Sequence, residues 1–201
     1  MNTGIHLIDK AFSIGMTQVP EEITYLIAFL NKHELHNSIE IGSKLGGTYY
    51  IWCNMIYGKK ISIDIQGGDF GGWMINDHIY LGDVYNKRNE YFESTFKDAY
   101  MIDGNSQHFN TYKQVREILI DEGVDLLFLD GDHSYEGVKS DYLTYCGLVN
   151  KGGFIVFHDI NDTEHHREIG CNVAKLWNEL EGDKIEFNAN KHWAGIGVLR
   201  V

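Results

Sequence analysis

A chain of 201 residues, 43% hydrophobic and 13% aromatic, can bury one substantial core. Its formal net charge of −12 argues against a general nucleic-acid binder, which needs a basic patch to neutralise phosphates. Three cysteines without metal spacing fit a reducing compartment, and no apolar stretch approaches membrane-spanning length, so a cytoplasmic protein with no membrane partner is expected. The start "MNTGIHLIDKAFSIG" has no basic residues ahead of a long apolar run, so no signal peptide is expected.

"VPEEITYLIAFLNKH" predicts a helix with Pro20 in its first turn and Ile23, Leu26, Ile27 and Leu30 on one face. Residues 1–37 thus read as an N-terminal helical cap. "SIEIG" is a short strand running through a glycine turn, "SKLGG", into the helix "TYYIWCNMIYG". "KKISIDI" is the next strand, and residues 67–97 follow as a lid or insertion. "AYMIDGNS", "VDLLFLDGD" and "GGFIVFHD" are strands separated by the helices "TYKQVREILIDEG" and "EGVKSDYLTYCGLV". "CNVAKLWNELEG" is helical, and "KIEFNA" and "GIGVLRV" are strands with too short a connection for a crossover, so they should pair antiparallel. Alternating strands and helices with continuous apolar strands predict an α/β fold: a Rossmann-like, doubly wound, mostly parallel sheet with an antiparallel C-terminal hairpin, in one domain spanning 1–201. Ligands bind such sheets outside the carboxyl ends of the strands, and four of these strands end in polar residues.

At the first strand end, "EIGSKLGGTYY" places Glu40, Gly42 and Gly46 around a turn where glycine permits close backbone approach. It is not the G-x-G-x-x-G of a dinucleotide fold, because Lys44 stands where the second glycine would be. Asp64 ends the second strand, where an acid can take the hydroxyls of a ribose. Asn105 and Ser106, in "DGNS", end the third and offer polar groups to an adenine edge. These three turns resemble the cofactor site of class I S-adenosylmethionine-dependent methyltransferases. The stretch "FLDGDHSYEGVKSDYLTYCGLVNKGGFIVFHDI" and the later "VAKLWNEL" resemble the small methyltransferase family that includes cephalosporin-hydroxylase-like and sugar O-methyltransferase proteins. The resemblance runs from Ser38 to the C-terminus and is loose between Gly67 and Lys97. It implies S-adenosylmethionine as cofactor, with Glu40 and Gly42 at its methionine end, Asp64 on the ribose, Asn105 and Ser106 near the adenine, and Gly46 and Asp130 completing the set.

At the reacting end, Asp130 closes the fourth strand and His158 and Asp159 close the fifth. Neighbouring strands lie about 5 Å apart, and two carboxylates at that spacing repel unless a proton or cation sits between them. Metal-dependent relatives hold Mg²⁺ at the matching positions, so the resemblance implies Asp130, His158 and Asp159 as ligands of Mg or Mn, with His158 standing where those relatives carry an acid. Imidazole suits Mn²⁺ better than Mg²⁺. His133, three residues past Asp130, is the first candidate for the base that deprotonates an acceptor, and Asp132 the second. The acceptor implied is a small molecule, a hydroxyl on a sugar or natural product, and the sequence leaves the metal, the acceptor and homo-oligomerisation open. A helix-cap role for His133 is the competing assignment.

His165 and His166 are adjacent on a helix, cannot share one metal, and read as a solvated helix start. His192 and Trp193 read as turn packing, and Tyr49 and Tyr50 as either crevice wall or core. The glycine pairs around Phe70 and Trp73 suit a lid over an acceptor. Two competing functions remain: a non-catalytic nucleotide-binding domain, and a nicotinamide-dependent oxidoreductase, which the missing G-x-G-x-x-G disfavours.

Overall fold

A computed structural model describes residues 3–65 and 78–201, with side-chain surroundings for 6–65 and 83–201. Seven strands, β1 (Ser38–Ile41), β2 (Lys60–Asp64), β3 (Ala99–Asp103), β4 (Val124–Leu129), β5 (Val149–His158), β6 (Asp183–Phe187) and β7 (Ile196–Arg200), form one sheet in the order β3-β2-β1-β4-β5-β7-β6. The first five run parallel, and β7 lies antiparallel between β5 and β6. The α/β expectation therefore holds, with one refinement. The last strand enters between β5 and β6, leaving β6 at the edge.

The helices are α1 (Thr3–Ile14), α2 (Pro20–Leu30), α3 (Gly47–Met55), α4 (His78–Thr95), α5 (Phe109–Leu119), α6 (Tyr135–Tyr145), α7 (Glu164–Glu168) and α8 (Val173–Glu179). They cover both faces of the sheet, which is why its central strands are apolar throughout. The period-2 alternation sorts the core. Ile39, Ile41, Leu127, Leu129, Ile155 and Phe157 meet α5, α6 and α8 on one side. Leu126, Phe128, Phe154 and Val156 meet α1, α2 and α3 on the other, with Trp52 at the centre. On that second side the alternation buries Glu40, 1% exposed, against an apolar layer.

The stretch 67–97 behaves differently in its two parts. Residues 67–77, with Phe70 and Trp73, lie outside the described residues. The remainder is the 18-residue helix α4, whose Tyr85, Arg88 and Phe92 are all buried at i, i+3 and i+7. An arginine in the middle of that stripe hides it from a search for apolar periodicity. Tyr49 and Tyr50 are core rather than wall: the Tyr49 hydroxyl donates to the Lys60 carbonyl at 2.7 Å, and Tyr50 packs edge-on against Phe96.

The loop after β3 is braced from α6. The Ser106 hydroxyl donates to Asp141 at 2.6 Å, and the Tyr145 hydroxyl donates to the Ser106 carbonyl at 2.8 Å. Burial pushes the Asp141 carboxyl up to about 7 from its ordinary 3.8, against the pull of the Ser106 hydrogen bond. A group raised on folding contributes stability below its unfolded pKa and loses it as pH rises through the folded one. Asp141 should therefore destabilise the fold progressively between about pH 4 and 7. Thermal melts across that range should be flatter for Asp141→Asn than for the wild type. Parallel curves for the two proteins would show that Asp141 titrates normally.

Candidate active site

The sheet order reverses between β1 and β4, and a cavity of about 450 Å³ opens there at the carboxyl ends of the strands. All the polar strand ends anticipated from the sequence reach it. Gly42, Asp64, Asn105, Ser106, Asp130, Asp132, His133, His158 and Asp159 line it together. Glu40 and Gly46 do not.

The glycine turn is shaped by backbone contacts. Gly42 has φ +90°, and a Cβ on it would lie 2.0 Å from the Asp130 carbonyl oxygen. Gly46, also at φ +90°, is excluded from bearing a side chain by the Phe92 ring of α4. Lys44 keeps a left-handed backbone, φ 50°, at the position where a second glycine was looked for. Its N–H donates to Asp64 at 2.6 Å and its carbonyl accepts from Arg88, which holds the strained turn in place. Asp64 accepts the Lys44 N–H through Oδ2 and lines the cavity. Burial pushes its pKa up to about 6, partly offset by Arg88 and the Lys44 N–H. Glu40 sits beneath the cavity floor, beside Trp52, with both oxygens lacking hydrogen-bond partners among the described residues. Burial first, then the nearby Asp130 and Asp64 charges, raise its pKa well above the usual carboxylate range.

Asn105 and Ser106 meet the cavity with their side chains already engaged: Asn105 Oδ1 accepts the Gln107 N–H at 2.8 Å, and the Ser106 hydroxyl is on Asp141. Asp132 is likewise committed. Its Oδ1 accepts the Ser134 N–H at 2.9 Å, while the Ser134 hydroxyl caps α6 by accepting the Gly137 N–H at 3.1 Å. This turn fixes where Asp130 and His133 point.

The reacting end is a cluster of two acids and two imidazoles. His133 Nδ1 lies 2.8 Å from Asp159 Oδ2, and its Nε2 lies 3.4 Å from Asp130 Oδ1. His158 Nδ1 lies 2.9 Å from Asp130 Oδ1 and 3.4 Å from Asp159 Oδ2. The His158 contacts are off the hydrogen-bonding direction, so neither of its ring nitrogens has a hydrogen-bond partner among the described residues. They act as charge contacts. Burial opposes a proton on His158, but Asp130 and Asp159 outweigh it and push the pKa up to about 10. Burial likewise opposes the charge on His133, and the same two carboxylates raise its pKa well above the imidazole range. Burial would raise the two carboxyls, yet the imidazoles hold both below their ordinary values. Asp159 reaches this position through a left-handed backbone, φ 61°, directly after β5.

Two imidazolium groups thus stand where a cation between the carboxylates was anticipated. Asp130 Oδ1 and Asp159 Oδ2 lie 2.9 and 3.4 Å from the same His158 nitrogen. Among the described residues, the donor atoms that all lie within 4.8 Å of one another belong to His133, Asp159 and Cys171.

Residues 39–160 match the model of a family described as "Methyltransferase domain", which is more than half of the chain. The chain belongs to this methyltransferase family. An uncharacterised protein of Acanthamoeba polyphaga mimivirus is 35% identical over 85 residues, covering 40% of this chain and 38% of that protein. An uncharacterised protein of Sinorhizobium fredii is 23% identical over 163 residues, 80% of this chain and 16% of that protein. The chain therefore spans well under half the length of these relatives. Among solved structures, a methyltransferase of Podospora anserina bound to S-adenosylhomocysteine superposes with TM-score 0.63 at 13% identity, covering 100% of this chain and 88% of that one. An O-methyltransferase of Bacillus cereus, also bound to S-adenosylhomocysteine, gives TM-score 0.62 at 12% identity, covering 96% and 89%. The shared fold is that of class I methyltransferases.

Several cavity residues lie outside the stretch that matches the methyltransferase family, and one of them, Gln18, was not singled out from sequence. Gln18, from the α1–α2 link, donates from Nε2 to Asp130 Oδ2 at 2.6 Å. His166 corrects an expectation. It is 2% exposed rather than solvated, with Nδ1 2.6 Å from the Asn161 carbonyl and Nε2 3.6 Å from Asp159. The cause is the tight α7 cap, where Thr163 Oγ1 accepts the His166 N–H at 3.0 Å and turns that ring inward. His165 points away, as adjacent helical residues must, and stacks on Trp193 with centroids 5.0 Å apart. Trp193 is therefore part of the cavity wall as well as of a turn. The loop that carries it is clamped by Glu22 of α2, which accepts the N–H groups of Ala189 and Gly195 at 3.1 and 3.0 Å. No described helix is long and apolar enough to cross a membrane.

Proposed function

We propose that this chain transfers the methyl group of S-adenosylmethionine to a hydroxyl oxygen of a small acceptor, of the sugar or natural-product type. The observation that carries this reading is the convergence of the β1, β2, β3, β4 and β5 ends on one cavity. In it a polar loop for the adenine (Asn105 and Ser106, after β3), an acid for the ribose (Asp64, at the end of β2) and an acid–imidazole cluster (after β4 and β5) follow one another across the sheet. The reaction is a direct displacement at the sulfonium methyl. Alignment of the acceptor oxygen with that methyl supplies most of the rate, since positioning can contribute about 7–11 kcal/mol.

In this reading His133 in its neutral form, which a cation offsetting the two carboxylates would favour, takes the acceptor proton at Nε2, 3.4 Å from Asp130, while Asp159 anchors Nδ1 at 2.8 Å. Asp132 organises the turn and is not the base. The stacked pair of His165 and Trp193, at the exposed rim of the cavity, offers a flat face to the acceptor. Asp130, His158 and Asp159 would hold a divalent ion, with Mn²⁺ favoured over Mg²⁺ by the imidazole. Bound there, its chemistry is to lower the pKa of the acceptor hydroxyl and to offset the two carboxylates that keep His133 charged.

Calorimetry with S-adenosylmethionine and S-adenosylhomocysteine, followed by turnover on a panel of hydroxylated acceptors with chelator or with Mn²⁺, tests the proposal. Micromolar cofactor binding and acceptor-dependent formation of S-adenosylhomocysteine are expected. Binding without turnover on any acceptor would favour a non-catalytic nucleotide-binding domain. No binding would remove the reading altogether.

A further inference from the structure

Gln18 belongs to no helix or strand and lies outside the stretch matched by the family. It is 3% exposed and lines the cavity. Because a carboxylate only accepts, the 2.6 Å contact with Asp130 fixes which end of the Gln18 amide is nitrogen. Its Oε1 is consequently the end not bonded to Asp130. That oxygen is buried and has no hydrogen-bond partner among the described residues. A buried acceptor left without a donor is costly, and such atoms call for an explanation in terms of a ligand or function.

The position of this oxygen says which ligand group it suits. The link carrying Gln18 is pressed onto the glycine turn: a Cβ on Gly47 would lie 2.4 Å from the Met16 nitrogen. Gln18 therefore stands between the turn after β1 and the carboxylate after β4. With the adenine at the β3 end and the ribose at the β2 end, the amino-acid end of the cofactor falls over β1 and β4. That end carries an ammonium group, which only donates hydrogen bonds. An amide oxygen beside an ionised carboxylate complements a cationic donor better than it does a neutral hydroxyl.

We propose that Gln18 Oε1, together with the Asp130 carboxylate, receives the α-ammonium group of S-adenosylmethionine, so that the N-terminal cap contributes directly to cofactor recognition. The proposal rests on the methyltransferase reading above. Gln18 also serves as a positioning residue for Asp130 through its Nε2.

The test is calorimetry on the full chain with three ligands: S-adenosylhomocysteine, its analogue lacking the α-amino group, and 5′-methylthioadenosine, which lacks the amino-acid end. Gln18→Met keeps the length of the side chain and its packing, and Gln18→Ala provides a second variant. Each is checked by its melting temperature without ligand. Both variants should bind S-adenosylhomocysteine at least about tenfold more weakly than the wild type, with little change for 5′-methylthioadenosine. The wild type should lose a similar factor with the desamino analogue, and Gln18→Met should weaken that analogue no further. Unchanged affinity for S-adenosylhomocysteine would overturn the assignment. So would an equal loss for all three ligands, which marks a purely structural residue, or a loss confined to Mn²⁺ binding. A wild type that binds none of them removes the methyltransferase reading itself, an outcome visible before any variant is made.

Discussion

Replacing Asp130 with alanine is expected to lower methyl transfer by at least about a thousandfold, equivalent to about 4 kcal/mol of lost transition-state stabilisation. Three side chains meet at this one carboxylate. Gln18 Nε2 is 2.6 Å from it, His158 Nδ1 2.9 Å and His133 Nε2 3.4 Å. Without it, the Gln18 amide loses its partner and both imidazoles lose half of the negative charge that holds their protons. The base, the cofactor contact and any cation site are thus disturbed together. Residues that act as a unit show such large single losses, and the losses do not add. Asp132→Ala is the informative comparison. Its carboxylate accepts the Ser134 N–H and orients the turn without joining the cluster, so a loss of about tenfold or less is expected. Comparing kcat/KM for the two variants on one acceptor checks the assignment. A greater loss at Asp132 than at Asp130 would reverse their roles.

The contrast between these two acids also shows what a sequence makes legible. "LDGDHSYEG" announces by its composition that a strand ends in charge, and the parallel sheet dictates that such ends share one edge. The sequence alone therefore places Asp64, Asp130, His133, His158 and Asp159 on a single cavity, and all five line it. Which of two acids in "DGD" joins the cluster is decided by the cap of α6, a matter of individual hydrogen bonds without periodic signature. Glu40 illustrates the opposite limit. Its place before the glycine turn marked it as a ligand contact, yet period-2 alternation in β1 turns it to the apolar layer with Trp52. Gln18 and Glu22 carry no local pattern at all. Their importance comes from partners up to 173 residues away, as with Glu22 and Gly195. Only the turn-forming Thr163, three residues before His166, could have hinted that one imidazole of the "HH" pair is turned inward.

Gly42→Ala should be the most damaging small substitution for the fold, costing about 3–5 kcal/mol. A left-handed backbone costs an L-residue about 1–2 kcal/mol, and forcing an atom into a filled space about 1–3 kcal/mol or more. The space here is filled by main chain: the new Cβ would lie 2.0 Å from Asp130 O, 2.4 Å from Asp130 C and 2.7 Å from Gly131 Cα. Main-chain atoms cannot rotate aside. Relief requires β1 and β4 to part at their carboxyl ends, where Asp130 N–H donates to Ile41 O at 2.9 Å and Gly42 N–H to Ile63 O at 2.9 Å. Gly152→Ala isolates the conformational part, because Gly152 has φ +87° and nothing within 4 Å of its added Cβ. It should cost only about 1–2 kcal/mol. Urea unfolding of both variants measures the difference, and equal losses would mean that the approach of β1 to β4 is not rigid. Any soluble Gly42→Ala protein should also bind S-adenosylhomocysteine weakly. The displacement that relieves the clash moves Asp130, so the contact that makes this glycine necessary for folding also sets the geometry of the site.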